Sequence, residues 1–290
     1  MDAKDWTSIF FFSQSPPNFI KENPETQEDF KPFQPDPKWS NWFLGTPLAT
    51  GRDCEPDRNQ VFWLVAEDDR GTSRKYVAKV YPESTEERAR AQLRRYPAPH
   101  SPRKVMKELD HFENEAKVFH RIEKFCDNAL VYFPRFYGVI TDLSKSRFRR
   151  GYVNRRAIIF ERIVPKLSSR RILAAVANDD TQTKQHIESL RSRLQSLDLS
   201  DFEGEFYRSL LTDRCRRLST LHSLAITHGD VKDEHFRIPG DFYDGVFYDF
   251  SHSYTFSPEL PYSVNIRKPR PLKDIAHLEL RQAELHTYRR

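Results

Sequence analysis

Two aspartates, Asp230 and Asp249, lie 19 positions apart, one in the stretch ITHGDVKDEHFRI and the other in VFYDF. Between them HFRI, a turn at PGDFYDG and VFYDF read as a short hairpin. Such a hairpin returns the chain, so both carboxylates reach one edge of the molecule. Two carboxylates at one edge can hold a hard divalent cation and accept a proton. The same pair also reads as two turn acids that cap local backbone N–H groups. Around Asp230 the chain adds His228, Lys232, Asp233, Glu234 and His235, more charge than a plain turn requires.

A second candidate is Lys79, in the stretch YVAKVY. A lysine among small and aromatic strand residues has two fates. Held on the inner side, its ammonium needs an acidic partner. On an edge strand it points to water. The amphipathic helix that follows offers Glu108 and Glu115 beside its apolar face, with Glu113 further round toward solvent.

The elements that position these groups follow from hydrophobic period. Residues 1–38 are rich in Pro, Asn, Gln and charge, and read as a tail that is flexible or lies across a surface. QVFWLVAED and KYVAKVY alternate as strands around a turn at RGTSR. A helix is expected from about Val105 to Phe125, with Val105, Leu109, Phe112, Ala116 and Phe119 at helical spacing. YFPRFYGVITD and RRAIIFERI read as two further strands joined by a basic loop. Helices are expected over Gln185–Leu197, Phe206–Leu224 and about Leu272–Tyr288. The pattern is α+β, with a β-rich part carrying one main helix and then a helical part with a small hairpin.

In this order the motifs resemble the protein kinase-like superfamily, including its aminoglycoside and choline kinase relatives. YVAKVY looks like the strand of the nucleotide-binding lysine, and HFENEAKVFHRI like the helix bearing its glutamate, here Glu115. LSTLHSLAITHGDVKDEHF is similar to the helix and catalytic loop of that superfamily, and VFYDFS to the strand that ends in DFG. The resemblance implies a bilobal kinase-like fold: a tail over 1–38, an N-lobe and hinge over 39–163, and a reduced helical C-lobe over 164–290. It implies an ATP- and Mg2+-dependent phosphotransferase, with Mn2+ as the other candidate metal. Asp230 would orient the acceptor hydroxyl and receive its proton, and Lys232 would contact the transferring phosphate. Asp249 would hold the metal, and Lys79, paired with Glu115, the nucleotide phosphates. Glu161 to Ile163 would line the adenine pocket through backbone groups.

The chain departs from that pattern in several places. His235 stands where the metal-binding asparagine is expected, and imidazole suits transition metals better than magnesium. LATGRDCEPDRNQVFWL occupies the place of the glycine-rich loop but keeps only Gly51. Only 39 residues follow Ser251, too few for a full protein-kinase substrate lobe; LKDIAHLEL is expected to bury Asp274 beneath the catalytic loop. Gly229 replaces the usual arginine, so control by activation-loop phosphorylation is not expected. These departures leave a catalytically inactive pseudokinase, acting as a binding or scaffold protein, as the alternative.

Composition limits the remaining classes. The net charge is +5, and the basic residues cluster at Arg94–Lys104 and Lys145–Arg156. No nucleic-acid motif accompanies them, so nucleic acid is not an expected partner; the expected partners are a nucleotide and a protein or small-molecule acceptor. Three widely spaced cysteines without CxxC argue against a disulfide framework or a zinc site. No apolar run approaches a membrane span, so the expectation is a soluble intracellular protein, cytoplasmic or nuclear, with no membrane partner.

Overall fold

The computed structural model describes residues 3–22, 30–48, 58–93, 101–152, 155–164, 181–238, 245–261 and 269–288. The fold is α+β, as expected. The elements in chain order begin with α1 (Ala3–Phe10), α2 (Asn18–Glu22), β1 (Asn41–Pro47), β2 (Gln60–Glu67) and β3 (Ser73–Tyr81). Next come α3 (Glu86–Leu93), α4 (Pro102–Glu108), α5 (His111–Phe125), α6 (Ala129–Tyr132), β4 (Phe136–Ile140) and β5 (Arg156–Phe160). The remainder is α7 (Thr181–Leu194), α8 (Asp201–Ser223), β6 (Ile226–Thr227), β7 (Tyr254–Thr255) and α9 (Leu272–Tyr288). The chain divides into two compact units. One, the helical unit, takes residues 1–26, 125–133 and 164–290; the other, the sheet unit, takes 27–124 and 134–163.

The sheet unit is built on five antiparallel strands in the order β1-β2-β3-β5-β4. The alternation read in QVFWLVAED and KYVAKVY buries Leu64, Ala66, Ala78 and Val80 in one cluster with Ala157 and Ile159. β3 is flanked on both sides, with Lys79 opposite Val61 of β2 and Ile158 of β5. It is therefore not an edge strand, which removes the easy route to water for Lys79.

The single helix expected over Val105–Phe125 is two helices, α4 and α5. Asp110 makes the break: its Oδ1 accepts the N–H groups of Phe112 at 3.0 Å and Glu113 at 3.2 Å. A carboxylate capping the first turn of a helix starts that helix afresh. Arg156 clamps the same carboxylate at 2.8 and 2.9 Å. The basic stretch Lys145–Arg156 is thus partly structural. Arg149 also exchanges backbone hydrogen bonds with Trp42 and Leu44 of β1.

In the helical unit α8 carries the longest apolar stripe, and Leu211, Cys215, Leu218 and Leu221 are all fully buried. It starts at Asp201, earlier than the expected Phe206. Ser200 and Glu203 form a reciprocal capping box there. The expected hairpin after the Asp230 loop is reduced. Asp233–Phe236 form a 3₁₀ turn, and the returning chain makes one antiparallel bridge, Arg237 to Gly245. Most of the predicted turn, 239–244, lies outside the described residues.

Where it is described, the N-terminal segment packs on the rest of its unit. α1 buries Trp6 and Phe10 completely, in a cluster with Tyr254, Phe256 and Leu272. The Trp6 indole N–H donates to the Tyr254 hydroxyl at 2.9 Å. Burying each such ring contributes about 2–3 kcal/mol, enough to hold a short helix that is marginal alone. In the sheet unit, residues 31–33 pair with Val139 of β4. Polar composition concealed both contacts.

Candidate functional site

The helical unit holds the Asp230 loop between α8 and α9. After α8 the chain turns through Ala225, at φ 55°, into β6. Two residues of β6 pair with β7, so the chain before His228 is tied to the chain after Phe250. Ser253 reinforces the tie by donating its hydroxyl to the His228 carbonyl at 3.0 Å. Gly229 adopts φ +80°, and a Cβ there would meet the His252 carbonyl oxygen at 2.3 Å. Only glycine allows this approach, which gives a local steric reason for Gly229.

Beneath the loop lies Glu279 of α9. Its carboxylate accepts the backbone N–H of Gly229 at 2.7 Å and of His228 at 3.1 Å. It also meets His222 Nε2 at 2.7 Å. Burial alone would raise the Glu279 pKa, but the His222 hydrogen bond, neighbouring histidine charge and the Gly229 N–H together lower it. Asp274, expected in this role, is exposed. Ile275, Glu279 and Ala283 recur four apart on the buried face of α9, and Asp274 lies off that face.

His228 is fully enclosed and stacks on Phe247, with ring centroids 4.6 Å apart. Its Nδ1 accepts the Asp230 N–H at 3.2 Å, leaving Nε2 to donate to the Tyr248 carbonyl at 3.4 Å. Burial pushes its pKa down to about 4, against the pull of Glu279. It is a neutral structural histidine that sets the backbone at Asp230.

The chemistry-bearing side chains converge on the front of the loop. Lys232 Nζ contacts Asp230 Oδ2 at 2.7 Å, and this hydrogen bond raises the lysine pKa. His235 sits between the two aspartates. Its Nδ1 lies 2.8 Å from the Asp230 carbonyl oxygen and its Nε2 lies 3.5 Å from Asp249 Oδ2. Asp249 is left-handed, at φ 66°, and Ser251 Oγ donates to its Oδ1 at 2.8 Å. A non-glycine residue held in that region costs free energy and aims its side chain. His235 thus links the Asp230 backbone carbonyl to the Asp249 carboxylate. Beside them a cleft of about 610 Å³ is lined by Asp230, Lys232, Glu234, Arg237, Gln282 and His286, among others. Among the described residues no group of three or more His, Cys, Asp or Glu is placed to hold a metal ion. His235 and Asp249 offer two ligands, which suits a cation completed by water and phosphate oxygens rather than a closed cage.

The sheet unit carries the other predicted residues. Lys79 Nζ lies 2.6 Å from Glu115 Oε2, and the Tyr81 hydroxyl donates to the same oxygen at 2.5 Å. Both ions are buried, with Glu115 only 1% exposed. The solvent-facing reading of Lys79 is thereby corrected, and of the two glutamates left open Glu115 is a partner. Glu161 follows β5, and its N–H donates to the Arg135 carbonyl at 2.9 Å. Its carboxylate accepts the Arg135 N–H at 2.9 Å. A base docked here would therefore rely on other backbone groups, near the half-buried Ile163. Gly51 and the rest of the 49–57 loop lie outside the described residues.

Comparison with protein-family models found no match, and comparison with curated proteins found no similar one. Among the described residues no helix is long and apolar enough to cross a membrane.

Proposed function

We propose that the chain is a bilobal kinase-like phosphotransferase that uses ATP with a divalent cation, Mg2+ or Mn2+. The observation that carries the reading is the Asp230–His235–Asp249 arrangement. His235 contacts both the Asp230 carbonyl and the Asp249 carboxylate, with Lys232 on the Asp230 carboxylate, and this supports reading Asp230 as a proton acceptor and Asp249 as a metal ligand. Asp230 would receive the acceptor hydroxyl proton, and Lys232 would balance charge on the transferring phosphoryl group. Asp249, with its Oδ1 held by Ser251, would help to hold the divalent cation, which would supply charge neutralisation for the phosphates. The buried Lys79–Glu115 pair of the sheet unit supports a phosphate-binding lysine, because a buried ion pair carries a desolvation cost that packing alone does not require.

The cleft beside Asp230 is polar along the loop and along α9, which fits a hydroxyl-bearing acceptor. A second reading has its own observation. His235 replaces an oxygen ligand, and Lys232 engages the Asp230 carboxylate at 2.7 Å. Both features fit a pseudokinase that binds a partner without turnover. The test is ATP-dependent phosphate release and transfer by the wild type and by Asp230→Asn. Turnover lost in the variant, with nucleotide binding kept, supports the enzyme. Nucleotide binding without any turnover supports the second reading.

A further inference from the structure

We infer that α1 is a positioning strap for the Asp230 loop: docked through Trp6, it holds the strained turn from which that loop departs. The inference rests on the proposed function only for what the strap does to turnover.

Two left-handed residues flank the loop system. Ala225, at φ 55°, turns the chain out of α8, and Asp249, at φ 66°, lies on the approach to β7. Non-glycine residues persist in that region only where their surroundings hold them there. Ala225 is itself part of the buried cluster that α1 completes, with Tyr254 and Phe256 after Asp249 and Leu272 at the start of α9. The Phe256 N–H donates to the Ala225 carbonyl at 2.9 Å, and Thr227 pairs with Tyr254. The three chain segments that meet on α1 therefore lead into His228, away from Asp249, and along α9 to Glu279.

Rings and one polar contact bind α1 there. Phe10 and Phe11 each lie 4.8 Å from Phe256, centroid to centroid, and Trp6 lies 6.2 Å from Tyr254. The Trp6 N–H donates to the Tyr254 hydroxyl, which donates onward to the Leu260 carbonyl at 2.6 Å. One phenol thus joins α1, β7 and the chain beyond β7. An eight-residue helix is marginal alone, so α1 depends on this docking, and its release uncovers Ala225. Trp6 is a positioning residue that acts through Tyr254 and Ala225.

The experiment is hydrogen–deuterium exchange by mass spectrometry on the full chain. It compares wild type, Trp6→Ala, Trp6→Phe and, as control, Phe12→Ser, whose ring is 65% exposed. The expected result is exchange about tenfold faster over residues 225–231 in Trp6→Ala, with residues 211–218 of α8 unchanged. Trp6→Phe keeps ring packing without the N–H, and a smaller rise is expected over the same residues. Phe12→Ser should match wild type. Exchange over 225–231 unchanged in Trp6→Ala would overturn the inference. So would an equal rise over 211–218, which marks general destabilisation, or an equal effect of Phe12→Ser. Should Trp6→Ala fail to fold, Trp6→Phe decides by the presence or absence of a rise confined to 225–231. Exchange needs no nucleotide, so the expected pattern in a chain without ATP turnover would uphold the strap and count against the kinase reading.

Discussion

Glu279 accepts the Gly229 N–H at 2.7 Å, joining α9 directly to the loop that carries Asp230. The same carboxylate holds the His228 N–H and His222, so one buried group orders two consecutive backbone donors. Glu279→Ala leaves the buried His228 N–H, the part-buried Gly229 N–H and a histidine without that acceptor. The expected loss is on the order of 3–5 kcal/mol, read from urea unfolding. Glu279→Gln retains one acceptor and is expected to lose about half as much. Unfolding midpoints equal to wild type in both variants would refute the role given to α9.

Gly229 and Gly204 make a controlled pair. Gly229→Ala sets a Cβ 2.3 Å from the His252 carbonyl oxygen at positive φ, and is expected to cost about 2 kcal/mol or more. Gly204, within α8, has nothing within 4 Å of its added Cβ. Gly204→Ala is expected to stabilise by about 0.5–1 kcal/mol through helix propensity. Thermal unfolding of both variants checks the contrast, and equal shifts would contradict it.

How much of this was open to reading in the sequence depends on where the signal sits. Lys79, Asp230, His235 and Asp249 were legible because each lies in a short local pattern of strand or turn. Helical angle left the partner of Lys79 as one of two, because Glu108 and Glu115 lie alike beside the apolar face, and the kinase-like resemblance pointed to Glu115. Glu279 was missed for Asp274. The i, i+4 pattern Ile275–Glu279–Ala283 was the available signal, but a glutamate in an apolar register looks like surface until its partners are seen. Asp110 was absorbed into one long helix, although aspartate before HFEN is an N-cap signal. Ser200–Glu203 was an unread capping box. The N-terminal helix was concealed by the Pro- and Asn-rich segment around it, since IFFF and Trp6 find their partner nearly the whole chain away.

His228 supplies a pH dependence. Its folded pKa, about 4, lies below the ordinary value near 6.5. Between these values the unfolded chain binds a proton that the folded chain refuses, so stability rises with pH across that window. Acidification from about pH 6.5 toward 4 should therefore remove on the order of 3 kcal/mol at this site. His228→Asn, which keeps an acceptor near the Asp230 N–H, should show a shallower decline in metal-free buffer. Parallel melting-temperature profiles for the two proteins would contradict the assignment.

The Lys79–Glu115 pair should behave as a coupled buried unit. Lys79→Met leaves Glu115 buried with the Tyr81 hydroxyl, at an expected cost of about 3 kcal/mol. Adding Glu115→Gln should recover about 1–2 kcal/mol of that loss. A double-mutant cycle by urea unfolding measures the coupling, and strict additivity would refute it.

If the chain carries a metal-dependent nucleotide site, as proposed, ATP should raise its melting temperature only together with a divalent cation. Wild type and Asp249→Asn are melted with ATP alone, with ATP and Mg2+, and with ATP and Mn2+. The expected result is a rise of roughly 3–6 °C for wild type with metal and ATP together, and none for Asp249→Asn. No metal-dependent shift with any nucleotide, or an equal shift in Asp249→Asn, would contradict it.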